Sequence, residues 1–189
     1  ISDRAARITG GRVQFDGAPE AKHRGRSHLP WQNTITEQNI HIIGDSETGG
    51  KIKAGSKWEL MSSLHATLCA RENLEQPLCA EIEKELMERE KLMSTGIGEQ
   101  MAIPHAVVAG VDRFMTECAI IRNGIDFESI DGTPAFIVVL LVAPKSALQE
   151  HLKVMASIAQ VFYKAELRQR VIAATTAAEA LRIIKEVPA

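Results

Sequence analysis

The chain has 189 residues, 45% of them hydrophobic, and a net charge of −2, which indicates one globular domain of ordinary size or one domain with appendages. This charge balance excludes the strongly basic surface typical of nucleic-acid binding. The longest apolar run, over 135–143, falls far short of the roughly 20 residues that span a bilayer as a helix. We therefore expect a soluble, cytoplasmic domain without a nucleic-acid partner.

The amino-terminal segment, residues 1–33, is rich in glycine and basic residues and poor in large apolar ones, which predicts a tail or linker. Isoleucines between 35 and 43 indicate a short strand, and the glycine-bearing stretch 44–55 indicates a loop or hairpin. Ser56 and Glu59 have capping-box spacing before an apolar helical repeat, which predicts a helix over about 56–70.

The second half of the chain alternates strand and helix patterns. A second helix is predicted from Pro77 to about residue 91, then a glycine turn over 94–98 and strands near 116–121 and 135–142. The apolar run 135–142 is expected to be the central strand. Ser146 with Gln149 and Thr176 with Glu179 have the spacing that begins two more helices. The apolar stripe of the first is predicted to be Leu148, Leu152, Met155, Ala159 and Phe162. The order predicts an α/β domain whose mixed sheet is sandwiched between helices.

The three cysteines, Cys69, Cys79 and Cys118, have neither CxxC nor Cys/His metal-ligand spacing. Their odd number and spacing predict no disulfide framework and no zinc site, as is typical of a reducing compartment. The sequence also lacks GxxxxGK[ST], and its GIG lacks the third glycine of a dinucleotide fingerprint. We therefore expect neither a metal nor a cofactor.

Two of the six histidines stand in a context that suggests chemistry. His105 follows the rigid Ile103-Pro104 step, near glycines whose backbone amides can face an anion. His151 lies on the core-facing side of a predicted helix. Taken singly, a hydrogen-bonded structural histidine remains the alternative for each. For His41 and His65 we expect surface or helix-edge positions without a function.

The stretch 89–106, REKLMSTGIGEQMAIPHA, resembles the signature of phosphotransferase-system enzyme IIA proteins of fructose, mannitol and nitrogen-regulatory type. The segments IDGTP at 130–134, LVAP at 141–144 and HLK at 151–153 resemble the same family in the same order. The resemblance covers roughly residues 34–189. It implies an enzyme IIA (mannitol/fructose type)-like fold, with 34–189 as the phosphoacceptor domain.

The resemblance also implies a function. His105 would accept a phosphoryl group from a histidine phosphocarrier protein, then relay it to a downstream transporter or regulatory partner protein, or signal with it. By motif position, His151 and Arg89 would be supporting polar groups. A neutral imidazole is a competent nucleophile near pH 7, and the transfer itself needs mainly alignment and charge stabilisation. For Arg89 alone, a solvated helix end with a local ion pair is the alternative.

One pair of residues departs from the family pattern. Gln100-Met101 replaces the usual Gly-Ile pair, which we expect to affect turnover or partner geometry.

The opening ISDRAAR resembles the end of the membrane part of monovalent cation:proton antiporters, some of which carry an enzyme IIA-like domain. Because the chain starts with Ile1 and a basic segment, an excised juxtamembrane linker is one interpretation, and a trimmed amino terminus is the other. A regulatory domain at the inner face of the membrane, attached to an antiporter, is thus the alternative function.

Overall fold

A computed structural model describes residues 30–44 and 52–186, which form one mixed sheet with helices on both faces. Within these ranges the strands are β1 Ile40–Ile43, β2 Gly96–Gly98, β3 Met101–Ala102, β4 His105–Val108, β5 Met115–Ile125 and β6 Ala135–Pro144. The helices are α1 Lys57–Arg71, α2 Gln76–Leu92, α3 Leu148–Tyr163, α4 Ala165–Ala173 and α5 Ala177–Lys185. The predicted fold class is confirmed.

The central position of β6 is also as predicted. The strand order is β1-β5-β6-β3-β2. β4 also pairs with β6, along residues 141–144, after the stretch 137–138 that pairs with β3. β6 is antiparallel to β5 and parallel to β3 and β4. Its alternate side chains enter two different cores. Ile137, Val139 and Leu141 pack with α3, α4 and α5, and Val138, Leu140 and Val142 pack with α1 and α2.

Three helix starts follow their predicted signals. The Ser56 hydroxyl accepts the Glu59 N–H at 3.2 Å, and α1 begins at the next residue. Pro77 occupies the first turn of α2. The Thr176 hydroxyl accepts the Glu179 N–H at 3.2 Å, which caps α5. Each cap satisfies a backbone donor that the helix itself leaves unpaired.

The predicted start and stripe of α3 are wrong in part. A 3-10 turn, Lys145–Ala147, precedes the helix, and its N-cap position makes no side-chain hydrogen bond. Leu148 and Leu152 are 58% and 65% exposed, whereas Val154 and Ile158 face the core. Apolar residues occur all around α3, so their spacing alone does not define the buried face.

The packed domain begins earlier than predicted. Pro30–Asn33 form a 3-10 helix, and the Trp31 ring is completely buried 6.0 Å from the Phe162 ring. The folded part therefore includes residues that the sequence analysis assigned to the tail. Residues 1–29 of that tail and most of the predicted loop, 45–51, lie outside the described residues.

The cysteine prediction is wrong for one pair. Cys69 at the end of α1 and Cys79 at the start of α2 form a disulfide, with Cα atoms 6.0 Å apart. The two helices make an antiparallel hairpin that brings these side chains together, which linear spacing does not show. Cys118 is fully buried on β5, and burial raises the pKa of its thiol to about 12.

His41 is predicted to lie at a surface or helix edge, but its side chain contacts a buried residue. His41 Nε2 lies 2.6 Å from a carboxylate oxygen of the fully buried Glu117, which also accepts Arg71 Nε at 2.8 Å. His41 thus contacts a buried acid rather than lying free at the surface. No helix of the described ranges is long and apolar enough to cross a membrane.

We predict that Trp31→Ala lowers the free energy of unfolding by about 3–5 kcal/mol, because it empties a fully buried aromatic site. Trp58→Ala is the matched control. Trp58 is 37% exposed and contacts the Lys57 ammonium, so its loss should cost less than about 1 kcal/mol. Urea unfolding followed by circular dichroism measures both, and equal losses in the two variants would contradict the placement of Trp31 in the core.

Candidate functional site

The first residue of β4 is His105, and its position is set by the sheet. It stands opposite Leu141 of β6, and the Leu141 N–H donates to the Pro104 carbonyl at 2.9 Å. The preceding Ile103 N–H donates to the Thr95 carbonyl at 3.0 Å. The chain on both sides of the Ile-Pro step is therefore fixed, and the His105 side chain is half-buried.

Hydrogen bonds select one tautomer of His105. Its Nδ1 lies 2.9 Å from the Ile103 carbonyl oxygen, and a carbonyl only accepts, so Nδ1 carries the proton. Nε2 then has the free lone pair, which accepts the Arg89 Nε–H at 3.2 Å. The nitrogen that faces Arg89 is the nucleophilic one.

The environment keeps this imidazole neutral. Burial, followed by the Arg89 charge, lowers the pKa of His105 below its ordinary value of 6.5, although the Ile103 carbonyl and Glu90 oppose the shift. The neutral form is therefore the dominant one at neutral pH.

His151 faces His105 from α3. The two ring centroids are 5.3 Å apart and the planes are inclined by 53°. His151 is buried, and neither of its ring nitrogens has a hydrogen-bond partner among the described residues. Burial, and secondarily the neighbouring His105, lower the pKa of His151. A buried polar group without a partner is costly, so core packing alone does not account for this ring.

Arg89 comes from the last turn of α2. Its Nη1 donates to the Met93 carbonyl at 2.8 Å, which orients the guanidinium while Nε reaches His105. The side chain is half-buried, so it is not the solvated, ion-paired helix end that its charged neighbours suggest. The structure thus brings together His105, His151 and Arg89 from three elements.

The residue next to Arg89, Glu90, has a buried hydrogen-bond network that the sequence does not predict. Glu90 is buried and accepts the backbone N–H of Thr95 at 3.0 Å and its hydroxyl at 2.6 Å. The Lys57 ammonium lies 3.1 Å from Glu90. This network joins the amino terminus of α1 to the end of α2. In the sequence, Glu90 is one acid within a charged run, and no pattern distinguishes it from a solvated residue.

The turn that contains the family departure has an unusual backbone. Gly98, Glu99 and Gln100 all have positive φ, at 81°, 53° and 64°. The Asp131 carboxylate accepts the Glu99 N–H at 2.8 Å. The Gln100 side-chain oxygen accepts Gln169 Nε2 at 2.7 Å, which ties the turn to α4.

The remaining predicted histidine and cysteine positions lie away from this site. His65, expected at a surface or helix edge, is buried beside the Cys69–Cys79 disulfide. Cys79 and Arg89 are ten residues apart on α2, or about 15 Å along the helix axis.

The chain matches the family model described as phosphoenolpyruvate-dependent sugar phosphotransferase system, EIIA 2, over residues 47–187. Among curated relatives, the nitrogen regulatory protein of Pseudomonas aeruginosa is 33% identical over 136 residues, which cover 72% of this chain and 87% of the relative. The residues matched by the family model include Arg89, His105 and His151.

Solved structures agree with this match. The nitrogen regulatory protein IIA-Ntr from Neisseria meningitidis superposes with a TM-score of 0.70 at 27% identity, covering 82% of this chain and 98% of the other. The IIA component in the complex of enzyme IIAMTL and phosphorylated enzyme IIBMTL from Escherichia coli has a TM-score of 0.63 at 20% identity, covering 81% and 98%, which shows the fold alone. These findings do not favour the antiporter alternative.

We predict that the free energy of unfolding falls as the pH decreases below about 6.5. The pKa of both His105 and His151 is lowered in the folded chain, so the unfolded chain binds more protons in this range. Full stability is present above the unfolded pKa and is lost as the pH falls towards the folded pKa. In His151→Gln one of these groups is gone, so the slope should flatten by up to about 1.4 kcal/mol per pH unit.

Urea titrations between pH 7.5 and pH 5 measure this slope, with His28→Gln as the histidine control from the predicted tail. An unchanged slope in His151→Gln would contradict the assignment of a lowered pKa to this residue.

Proposed function

The chain belongs to the EIIA 2 family of the phosphoenolpyruvate-dependent sugar phosphotransferase system, and we propose that His105 is its phosphoryl-accepting residue. The observation that carries the proposal is the convergence of three side chains. Arg89 Nε lies 3.2 Å from His105 Nε2, and the unpartnered His151 ring lies 5.3 Å from the His105 ring. A nucleophile, a fixed cation and a free hydrogen-bonding ring meet in a half-buried site.

The transfer begins with attack by Nε2 of His105 on the phosphorus atom of a donor phosphohistidine. The new N–P bond forms as the donor N–P bond breaks, and the donor imidazole leaves with that electron pair. The Nδ1 proton stays on His105, because the Ile103 carbonyl accepts it at 2.9 Å. A donor whose second ring nitrogen also carries a proton leaves as a neutral imidazole, so no further acid or base is needed.

Arg89 serves the site in two ways. Without a phosphoryl group it donates to Nε2, which holds the ring in place. When Nε2 becomes bonded to phosphorus, the guanidinium loses this acceptor and turns its charge to the phosphoryl oxygens, which it can meet with two donors. His151 supplies a further N–H to an oxygen, because one nitrogen of a neutral imidazole is always a donor.

We infer that partners dock on an apolar rim around the histidines. Four large apolar side chains are exposed on, or directly after, the helices that carry Arg89 and His151, and they are Leu92, Met93, Leu148 and Leu152. Leu148 and Leu152 flank His151 on α3, and the Met93 carbonyl binds Arg89. Exposed apolar groups around a polar centre are typical of protein–protein contact.

A histidine phosphocarrier protein is the proposed donor. The solved complex of a IIA protein with its phosphorylated IIB partner supports a protein as the recipient. Two relatives that match over 87% and 88% of their own length are named nitrogen regulatory proteins, which supports a regulatory output of the phosphorylation state for this chain.

We predict one phosphoryl group per chain after incubation with phosphoenolpyruvate, enzyme I and a histidine phosphocarrier protein. Intact-mass spectrometry at neutral pH, without acid, detects the gain. His105→Gln should show none, because no nucleophile remains at that position. His151→Ala should still accept the group but about 100-fold more slowly, as for the loss of one transition-state donor.

Arg89→Ala and Arg89→Lys separate charge from geometry, since Lys keeps the charge without the planar fork. Both should be slower than the parent, and Lys should recover part of the rate. His28→Gln is the control and should match the parent. A phosphoryl group on folded His105→Gln at the parent level would remove the site assignment.

A further inference from the structure

A second cluster of reactive side chains lies between α1 and α2. His65 and Cys69 are one helical turn apart on α1, and Cys79 faces them from the first turn of α2. Their ligand atoms all lie within 4.8 Å of one another. His65 and Cys79 are buried and Cys69 is half-buried. The proposed phosphoryl chemistry uses none of these residues.

The contacts within the cluster bring nitrogen and sulfur together. His65 Nε2 lies 3.2 Å from Cys69 Sγ and 2.9 Å from the Cys79 carbonyl oxygen. The two sulfurs are joined as a disulfide, which holds the helices with Cα atoms 6.0 Å apart. This separation also allows both sulfurs to bind one ion when the bond is reduced, because each side chain can rotate about its Cα–Cβ bond.

We propose that the reduced Cys69–Cys79 pair and His65 form a binding site for one Zn²⁺ ion. Two thiolates and an imidazole are the soft and borderline ligands that zinc takes in tetrahedral sites. Two thiolates also neutralise the charge of the ion, which permits burial between the helices. The fourth position is left to water or to Glu83, which lies one turn beyond Cys79 on α2 and accepts the Ser62 hydroxyl of α1 at 3.0 Å.

The position of His65 agrees with this role, because its Nε2 atom already faces both the Cys69 sulfur and the Cys79 carbonyl oxygen. To bind the ion, Nε2 gives up its contact with the carbonyl and presents its lone pair, and Nδ1 takes the proton.

Reduction of the Cys69–Cys79 disulfide requires a reductant, such as a dithiol, from outside the chain. Two electrons and two protons from a dithiol convert the disulfide to two thiols, and the dithiol itself becomes a disulfide. Zinc then displaces both thiol protons to solvent. Oxidation and metal binding are mutually exclusive, because each uses the same two sulfurs.

Cobalt titration tests the site. The chain is reduced with a phosphine, freed of metal and titrated with Co²⁺ alone under anaerobic conditions. We expect saturation at one equivalent, with near-ultraviolet thiolate-to-cobalt bands and visible bands typical of a tetrahedral site. One equivalent of Zn²⁺ should remove both sets of bands. The oxidised chain should show neither, and its thiol titration under denaturing conditions should find Cys118 alone.

Single variants identify the ligands. Cys69→Ser and Cys79→Ser should each weaken the charge-transfer band, and His65→Asn should weaken cobalt binding by at least about 10-fold. Cys118→Ala is the matched control, since this thiol is buried on β5, outside the cluster, and should leave the spectrum unchanged. Circular dichroism establishes that each variant is folded.

A folded, reduced parent without the charge-transfer band would overturn the proposal. Retention of the full band in both Cys69→Ser and Cys79→Ser would overturn it equally. The readout is the spectrum of bound cobalt, so the result does not depend on whether His105 accepts a phosphoryl group.

Discussion

The pairing of β6 with its neighbours on both edges is the constraint on which the other elements depend. β5 pairs with one edge of β6, while β3 and β4 pair with the other. Alternate β6 side chains then divide the helices into two layers, each with its own core. The register sets His105 opposite Leu141. A slip by one residue would turn every β6 side chain to the opposite face of the sheet. The packing of the two cores therefore also fixes the position of His105.

Regular elements carry each part of the candidate site, which makes its geometry rigid. Arg89 stands on α2, His105 on β4 and His151 on α3. This arrangement has a cost, since the His151 ring is buried without a partner and both histidines have a lowered pKa. A core optimised for stability alone would place an apolar side chain at His151. The proposed contact of this ring with a phosphoryl oxygen would give it a hydrogen-bond partner.

The sequence allows the elements to be predicted where the signal is local. Ser56 and Thr176 begin helices through their own hydroxyl groups, and the apolar run of β6 is long enough to identify a central strand. Burial that depends on a distant partner is not predictable in this way. Trp31 becomes part of the core through Phe162, far along the chain, and the buried face of α3 is decided by the sheet beneath it.

The same distinction applies to the side chains of the site. His105 is identifiable because its motif is continuous, and the resemblance of the surrounding segments supplies His151 and Arg89. Glu90 and Cys79 have no such pattern. Glu90 depends on Thr95 and on Lys57 of another helix, and Cys79 meets Cys69 only because a helical hairpin folds between them. Contacts across two elements require the fold before they can be recognised.

The Gln100 departure is a matter of backbone energy rather than of the reacting groups. A residue other than glycine in the left-handed region costs about 1 kcal/mol or more, and Gln100 adopts φ of 64°. Its side chain accepts Gln169 at 2.7 Å and Arg168 at 3.4 Å, contacts that a glycine lacks. Hydrogen bonds of about 1 kcal/mol each offset that cost. The neighbouring Met101 is buried on β3, so both departing residues act through α4 and the core, while Arg89 and His151 contact His105.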